Sequence, residues 1–125
     1  MTRKQWNNKL CSYTIFFTFS EFTCKCGKCN SPAYLNPKLI TYLDRLRRYF
    51  KKPVVITSGI RCKKYNASLP GSSKHSGHLK GNAADIYIEG VDPKDICNWW
   101  FSNVPSGYSY CGTKNMGDCV HVEIL

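Results

Sequence analysis

Two short signals divide this chain: Asn36-Pro37 and Asp92-Pro93, each a capping side chain followed by proline at the first helical position. After the first, Leu39, Leu43, Leu46 and Phe50 recur at intervals of four, three and four. That spacing predicts a helix through about residue 51, with one apolar stripe beneath a basic outer face and an end before Pro53. After the second, Ile96, Trp99 and Trp100 give a helix a bulky apolar side until Pro105. The segments between have a different period. VVITSG is a β-branched run that reads as a strand, followed by a polar stretch from Arg61 to Lys74 that reads as a long loop. ADIYIEG alternates, with Ala84, Ile86 and Ile88 on one face and Asp85, Tyr87 and Glu89 on the other. Tyr108 to Cys111 and Cys119 to Leu125 read as two more strands, the last with Val120, Val122 and Ile124 opposite His121 and Glu123. Strands and helices in this mixed order predict an α+β fold, a small mostly antiparallel sheet with helices packed on it. The aromatic residues Trp99, Trp100 and Tyr108 to Tyr110 are expected in the core, with no role in a site.

At 125 residues the chain has the length of one domain, residues 1–125, with residues 1–20 as an N-terminal extension, and a monomer is expected. The formal charge of +10 implies attraction to a polyanion: nucleic acid, acidic lipid or an anionic cell wall. The cations are scattered, among them Arg45, Arg47, Arg48, Lys63, Lys64 and Lys80. Without a nucleic-acid motif they read as a solvated, steering face and not as a specific nucleic-acid surface. The most apolar early run, YTIFFTF, is too short to cross a bilayer, and no small-residue cleavage site follows TRKQWNNK. Neither a transmembrane segment nor a classical signal peptide is expected.

Eight cysteines are many for a cytosolic protein of this size, and an even number allows a disulfide framework. Cys24, Cys26 and Cys29 are equally suited to a structural zinc, with Cys62 or Cys11 as fourth ligand. Disulfide and metal readings both stand on sequence, and a thioredoxin-like redox role is the weakest, because Gly27 and the flanking lysines mark a loop.

The stretch SKHSGHLKGNAAD, residues 73–85, holds His75, His78 and Asp85. On one continuous helix, His78 and Asp85 would lie about 10 Å apart, too far to share an ion. Gly81-Asn82 is a turn signal, however, and lets the chain double back so that imidazole and carboxylate meet. His121, on the polar face of the last strand, is placed to supply a third ligand. Two histidines and one carboxylate leave a tetrahedral position open, which separates a catalytic zinc from a closed structural one. A base to accept a proton from water there would be Asp118 or Glu123, which sequence geometry does not separate. His75 reads as a structural neighbour or an outer hydrogen-bond partner.

Ser76-Gly-His78-Leu-Lys-Gly81-Asn-Ala83-Ala-Asp85 resembles the S-x-H-x-x-G-x-A-x-D signature of the zinc D-Ala-D-Ala carboxypeptidase and L-Ala-D-Glu endopeptidase family, which shares its fold with the hedgehog signalling domain. Glu21-Phe22 with CKCG, VVITSGIR ending in Arg61, Tyr65-Asn66, and the terminal His121-Val-Glu123 fall in family order, so the resemblance covers roughly residues 20–125. It implies a hedgehog/DD-peptidase-like fold and zinc held by His78, Asp85 and His121. It also implies Asp118 as catalytic base, three residues before His121, Arg61 as substrate ligand and oxyanion stabiliser, and Ser76 as holder of the substrate's terminal carboxylate. Two departures stand out: the chain reads H-V-E-I-L where relatives commonly read H-V-D-V-R, and Cys119 lies between base and ligand.

The expected function is therefore a zinc metallopeptidase that hydrolyses amide bonds in peptidoglycan stem peptides, resembling a phage endolysin or a wall-remodelling enzyme. It would act outside the cell or at the wall, or wait in the host cytoplasm for phage-type release. The alternatives are a non-catalytic zinc-bearing binding module of the same fold and a disulfide-stapled basic module without metal at the histidines.

Overall fold

The structure is a computed structural model and describes residues 14–26, 29, 34–72, 76–111 and 117–125. His75 and Cys11 lie outside the described residues, as do residues 1–13 of the extension. Three α-helices, α1 (Pro37–Phe50), α2 (Lys63–Ser68) and α3 (Pro93–Asn103), accompany four strands, β1 (Val55–Ser58), β2 (Ala83–Tyr87), β3 (Gly107–Tyr110) and β4 (Val120–Ile124). Two 3-10 turns, Phe19–Phe22 and Gly77–Lys80, complete the regular structure among the described residues. The strands form one antiparallel sheet in the order β1-β2-β4-β3. The fold is α+β, and no helix among the described residues is long and apolar enough to cross a membrane.

The cap signals act as the sequence implies. The Asn36 side chain accepts from the Lys38 N–H at 3.0 Å and that of Asp92 from the Lys94 N–H at 2.9 Å, each ahead of proline at the helix start. Leu39, Leu43 and Leu46 of α1, joined by Ile40, are fully buried, and α3 contributes Ile96 and Trp100. The period-2 pattern of the central strands sends Ala84, Ile86, Val120, Val122 and Ile124 into this core. Phe17, Phe19 and Phe22 close it from the N-terminal side, and Thr14 ties that segment to α1 through a 2.7 Å hydrogen bond to Asp44.

The structure corrects two expectations. The stretch from Arg61 to Lys74 is not simply loop: residues 63–68 form α2, whose first turn is capped by the Cys62 sulfur, an acceptor for the Tyr65 N–H at 3.4 Å. Six mostly polar residues are too few to show an apolar stripe, and cysteine is outside the usual capping set, so the helix left no local signal. Tyr108 and Tyr110 are not core residues either. Both are exposed, on the sheet face opposite the hydrophobic core.

Candidate metal centre

Strand pairing brings two of the three expected ligands together. Asp85 of β2 stands directly opposite His121 of β4, so their side chains leave the sheet on the same face as close cross-strand neighbours. His78 reaches the same point from the second 3-10 turn. Ser76 caps that turn by accepting from the His78 N–H at 3.2 Å, and Gly81 ends it at φ 72°, from where Asn82 leads directly into β2. A side chain at Gly81 would strike the Tyr34 carbonyl, with Cβ only 1.7 Å from that oxygen. Asn36 fixes the turn from the other side, its N–H on the Gly81 carbonyl at 2.9 Å and its side-chain amide on Asn82 at 3.1 Å. The Gly-Asn signal thus marks the joint at which the chain folds back.

Asp85 Oδ1 lies 3.1 Å from His78 Nε2 and 3.0 Å from His121 Nδ1. Ligand atoms bonded to one tetrahedral zinc at 2.0–2.1 Å are about 3.3 Å apart, so the three atoms already have the separations one ion requires. The remaining ring nitrogens are committed elsewhere. His78 Nδ1 is 2.6 Å from the Gly59 carbonyl, which can only accept, so Nδ1 carries the proton and Nε2 keeps its lone pair. His121 Nε2 is 2.7 Å from Glu123 Oε1, which likewise leaves Nδ1 as the donor nitrogen. Outer acceptors that fix the tautomers of both imidazoles are the usual surroundings of a metal-binding histidine.

Burial alone would push the Asp85 carboxyl up, but hydrogen bonds and charge from His121 and His78 outweigh it and hold it well below the usual carboxylate range. Burial disfavours a charged His121, and Asp85 and Glu123 overcome it to raise the imidazole above its ordinary value. Both histidines are almost fully buried. A partly buried carboxylate between two buried imidazoles is what a divalent cation would satisfy without rearrangement.

Arg61 braces the second oxygen of Asp85. Its Nη2 donates to Asp85 Oδ2 at 2.9 Å, its Nε to Ser58 Oγ at 2.9 Å, and its Nη1 to Asn66 Oδ1 at 3.2 Å. Ser58 is within reach because a register irregularity between Ile56 and Ser58 sets Ser58, and not Thr57, opposite Asp85. Beside the three ligands is a hollow of about 260 Å³ lined by residues that include Arg61, Ser76, His78, Tyr108, Tyr110 and His121. Tyr110 stacks on the His121 ring at 4.6 Å between centroids and 17° between planes. Burial, with the Asp85 charge near it, pushes the Tyr110 phenol up, so at neutral pH it is an uncharged hydroxyl.

Of the residues singled out in the sequence, the structure gathers His78, Asp85, His121, Arg61, Ser76 and Glu123. Asp118 is exposed in the turn just before β4, and among the described residues it is not one of those lining the hollow. Glu123, the other candidate base, does line the hollow, and it touches His121 on the side away from Asp85. Sequence reasoning missed Tyr108 and Tyr110. The signal available was their period-2 spacing on a strand next to the one bearing His121, since Tyr110 pairs directly with His121.

An α+β fold carrying a largely buried His-Asp-His set beside an open hollow presents a candidate catalytic metal centre. The sequence profile of the Peptidase M15 family matches residues 15–123, and the chain belongs to that family, the zinc D-Ala-D-Ala carboxypeptidase-like peptidases. No curated protein and no solved structure matches the chain. Peptidases of this family are zinc-dependent, and the donor set of His78, Asp85 and His121 fits that ion.

Proposed function

We propose that this M15 peptidase hydrolyses amide bonds in the stem peptides of bacterial peptidoglycan, as a D-Ala-D-Ala carboxypeptidase or an L-Ala-D-Glu endopeptidase. The observation that carries this reading is the convergence of His78 Nε2, Asp85 Oδ1 and His121 Nδ1 beside a hollow that also presents Arg61 and Ser76. Zinc held by those atoms supplies an activated water and a Lewis acid for the scissile carbonyl. The chain's own residues do the rest.

Asp118, three residues before His121 as the family order implies, accepts the proton of the attacking water and returns it to the leaving amine, with Glu123 of the hollow as the alternative base. Arg61 spends one N–H on each of Ser58, Asn66 and Asp85, and a guanidinium has five, so its remaining donors serve a substrate carboxylate or the developing oxyanion. Ser76 Oγ accepts from the His78 N–H and keeps its own hydrogen to donate to the substrate's terminal carboxylate. The +10 charge favours encounter with a polyanionic wall. The protein acts as a monomer at the wall, delivered by phage-type release or as a wall-remodelling enzyme.

Replacing Asp118 by Asn tests the reading on purified peptidoglycan. Peptide release should fall by roughly 10²–10⁴-fold while the zinc content stays the same, and mass spectrometry of the released muropeptides identifies the bond cut. Wild-type protein with full zinc that releases no peptide from any wall type would leave a zinc-bearing binding module in place of an enzyme.

A further inference from the structure

A second group of metal-ligating side chains lies outside the histidine centre. The sulfurs of Cys24, Cys26, Cys29 and Cys62 all lie within 4.8 Å of one another. Cys26 Sγ is 3.2 Å from Cys29 Sγ and 4.0 Å from Cys62 Sγ. A disulfide needs about 2.05 Å, whereas four sulfurs bound to one tetrahedral zinc at about 2.3 Å stand about 3.8 Å apart. Two disulfides would require two short separations and leave the other four free to be long. Here all four sulfurs are mutually close, as a single central ion requires.

Backbone donors and positive charge surround the four sulfurs. The Cys62 N–H points at Cys24 Sγ at 3.4 Å, and the Tyr65 N–H at Cys62 Sγ at 3.4 Å. Backbone donors aimed at sulfur stabilise the anionic form. Lys25 and Lys64 line the adjoining hollow with Cys26, Cys29 and Cys62, placing positive charge beside a centre that four thiolates and a divalent ion would leave at minus two. Cys26 and Cys29 have the two-residue spacing of a zinc-binding pair. We infer that Cys24, Cys26, Cys29 and Cys62 hold one zinc ion in a closed four-thiolate site that pins the segment carrying Arg61.

The tertiary arrangement gives this site its use. Cys62 follows Arg61 directly, and two residues earlier the Ile60 N–H donates to the Phe22 carbonyl at 2.7 Å. A Cβ at Gly59 would lie 2.6 Å from that same carbonyl oxygen, so the two backbones are in close contact. The ion thus joins the chain after the first 3-10 turn to the junction of β1 and α2, where Gly59 holds His78 and Arg61 holds Asp85. With all four positions filled by sulfur it has no place for substrate and is structural. The inference does not rest on the peptidase reading, and its test does not use activity.

The experiment counts metal in protein purified under reducing conditions. Wild type should carry two zinc ions per chain. The double variant His78→Ala/His121→Ala should keep one, as should Cys26→Ser/Cys29→Ser. Cobalt replacement assigns the sites: the histidine variant should show intense sulfur-to-cobalt charge-transfer absorption, and the cysteine variant should lack it. Should the cysteine variant not fold, titration of wild type with an organomercurial serves instead: one zinc should be released as the thiols are modified, and the second should stay bound. A wild-type count of one zinc that the histidine variant loses entirely would overturn the inference. So would intact-mass and peptide mapping that finds these four cysteines paired as disulfides in freshly isolated protein.

Discussion

Glu123 Oε1 sits 2.7 Å from His121 Nε2, on the opposite edge of the imidazole from the Nδ1 that faces Asp85. This contact fixes the ring's tautomer and orientation, and it gives Glu123 a positioning role behind the ligand. Replacing Glu123 by Gln should lower zinc affinity at the histidine centre by about 10–100-fold, the usual effect of losing such an outer carboxylate. Competition with a chelator measures it. Asp118→Asn should leave that affinity unchanged, and equal losses in the two variants would show that Glu123 has no special hold on His121.

Gly77 leaves the room in which the Glu123 carboxylate lies. A Cβ added there would stand 2.5 Å from Glu123 Cδ, so Gly77→Ala must push the carboxylate aside or shift the turn. The expected cost is about 1–3 kcal/mol of stability, typical of overpacking. Zinc binding at the histidine centre should weaken in the same direction as in Glu123→Gln. Denaturant unfolding and chelator competition on the same sample check both effects.

Arg61 donates to three acceptors from one planar group, reaching Ser58, Asn66 and Asp85 together. Lysine keeps the charge but carries its three donors on one nitrogen, so it cannot span acceptors that the planar guanidinium meets with three separate nitrogens. Arg61→Lys should therefore lower peptide release by about 10²-fold, the scale of a small misplacement at a reacting centre. A lysine variant with wild-type turnover would mean that charge alone suffices there.

The parts of the fold that were legible in the sequence are those whose cause is local. Asn36 and Asp92 announce helices because cap and proline act within one turn, and the alternation at 83–88 and 120–124 shows which side chains meet the core. His78, Asp85 and His121 could be grouped because Gly81-Asn82 signals the return of the chain. What the sequence hid depends on distant partners. The irregularity that sets Ser58 opposite Asp85 is a property of β1 and β2 together. The outward face of Tyr108 and Tyr110 depends on which side of β4 is covered by helices. The choice of Cys62 to join Cys24, Cys26 and Cys29 needs residues 33 or more positions apart brought together by the contact of Ile60 with Phe22.

Cys97 of α3 illustrates a thiol of the opposite kind. Burial, then the neighbouring Cys111 sulfur, pushes its pKa up to about 11 from an ordinary 9.0. The thiolate is the reactive form, so at any pH below both values about 100-fold less of it is present than in the unfolded chain. In reduced folded protein, iodoacetamide should modify Cys97 with a pH midpoint near 11, and denaturant should shift that midpoint down towards 9.0. Peptide mass mapping across a pH series reads the two midpoints. Equal midpoints would show that folding does not shelter this sulfur.

Gly81 and Gly117 both have positive φ, 72° and 59°, and separate backbone conformation from contact. Among the described residues nothing lies within 4 Å of a Cβ built on Gly117, so Gly117→Ala should cost only the left-handed conformation, ~1 kcal/mol. At Gly81 the same methyl meets the Tyr34 carbonyl. Either the turn opens or the start of α1 moves, although Asn36 is tied to both Gly81 and Asn82. Gly81→Ala should therefore lose ~3 kcal/mol or more in denaturant unfolding. Because this turn separates His78 from Asp85, any movement there changes the distance between two ligands of one ion, so zinc affinity at the histidine centre should fall as well. Gly117→Ala should leave that affinity near wild type. An alanine at Gly81 that binds zinc with unchanged affinity would mean that the fold-back joining His78 to Asp85 does not depend on this residue.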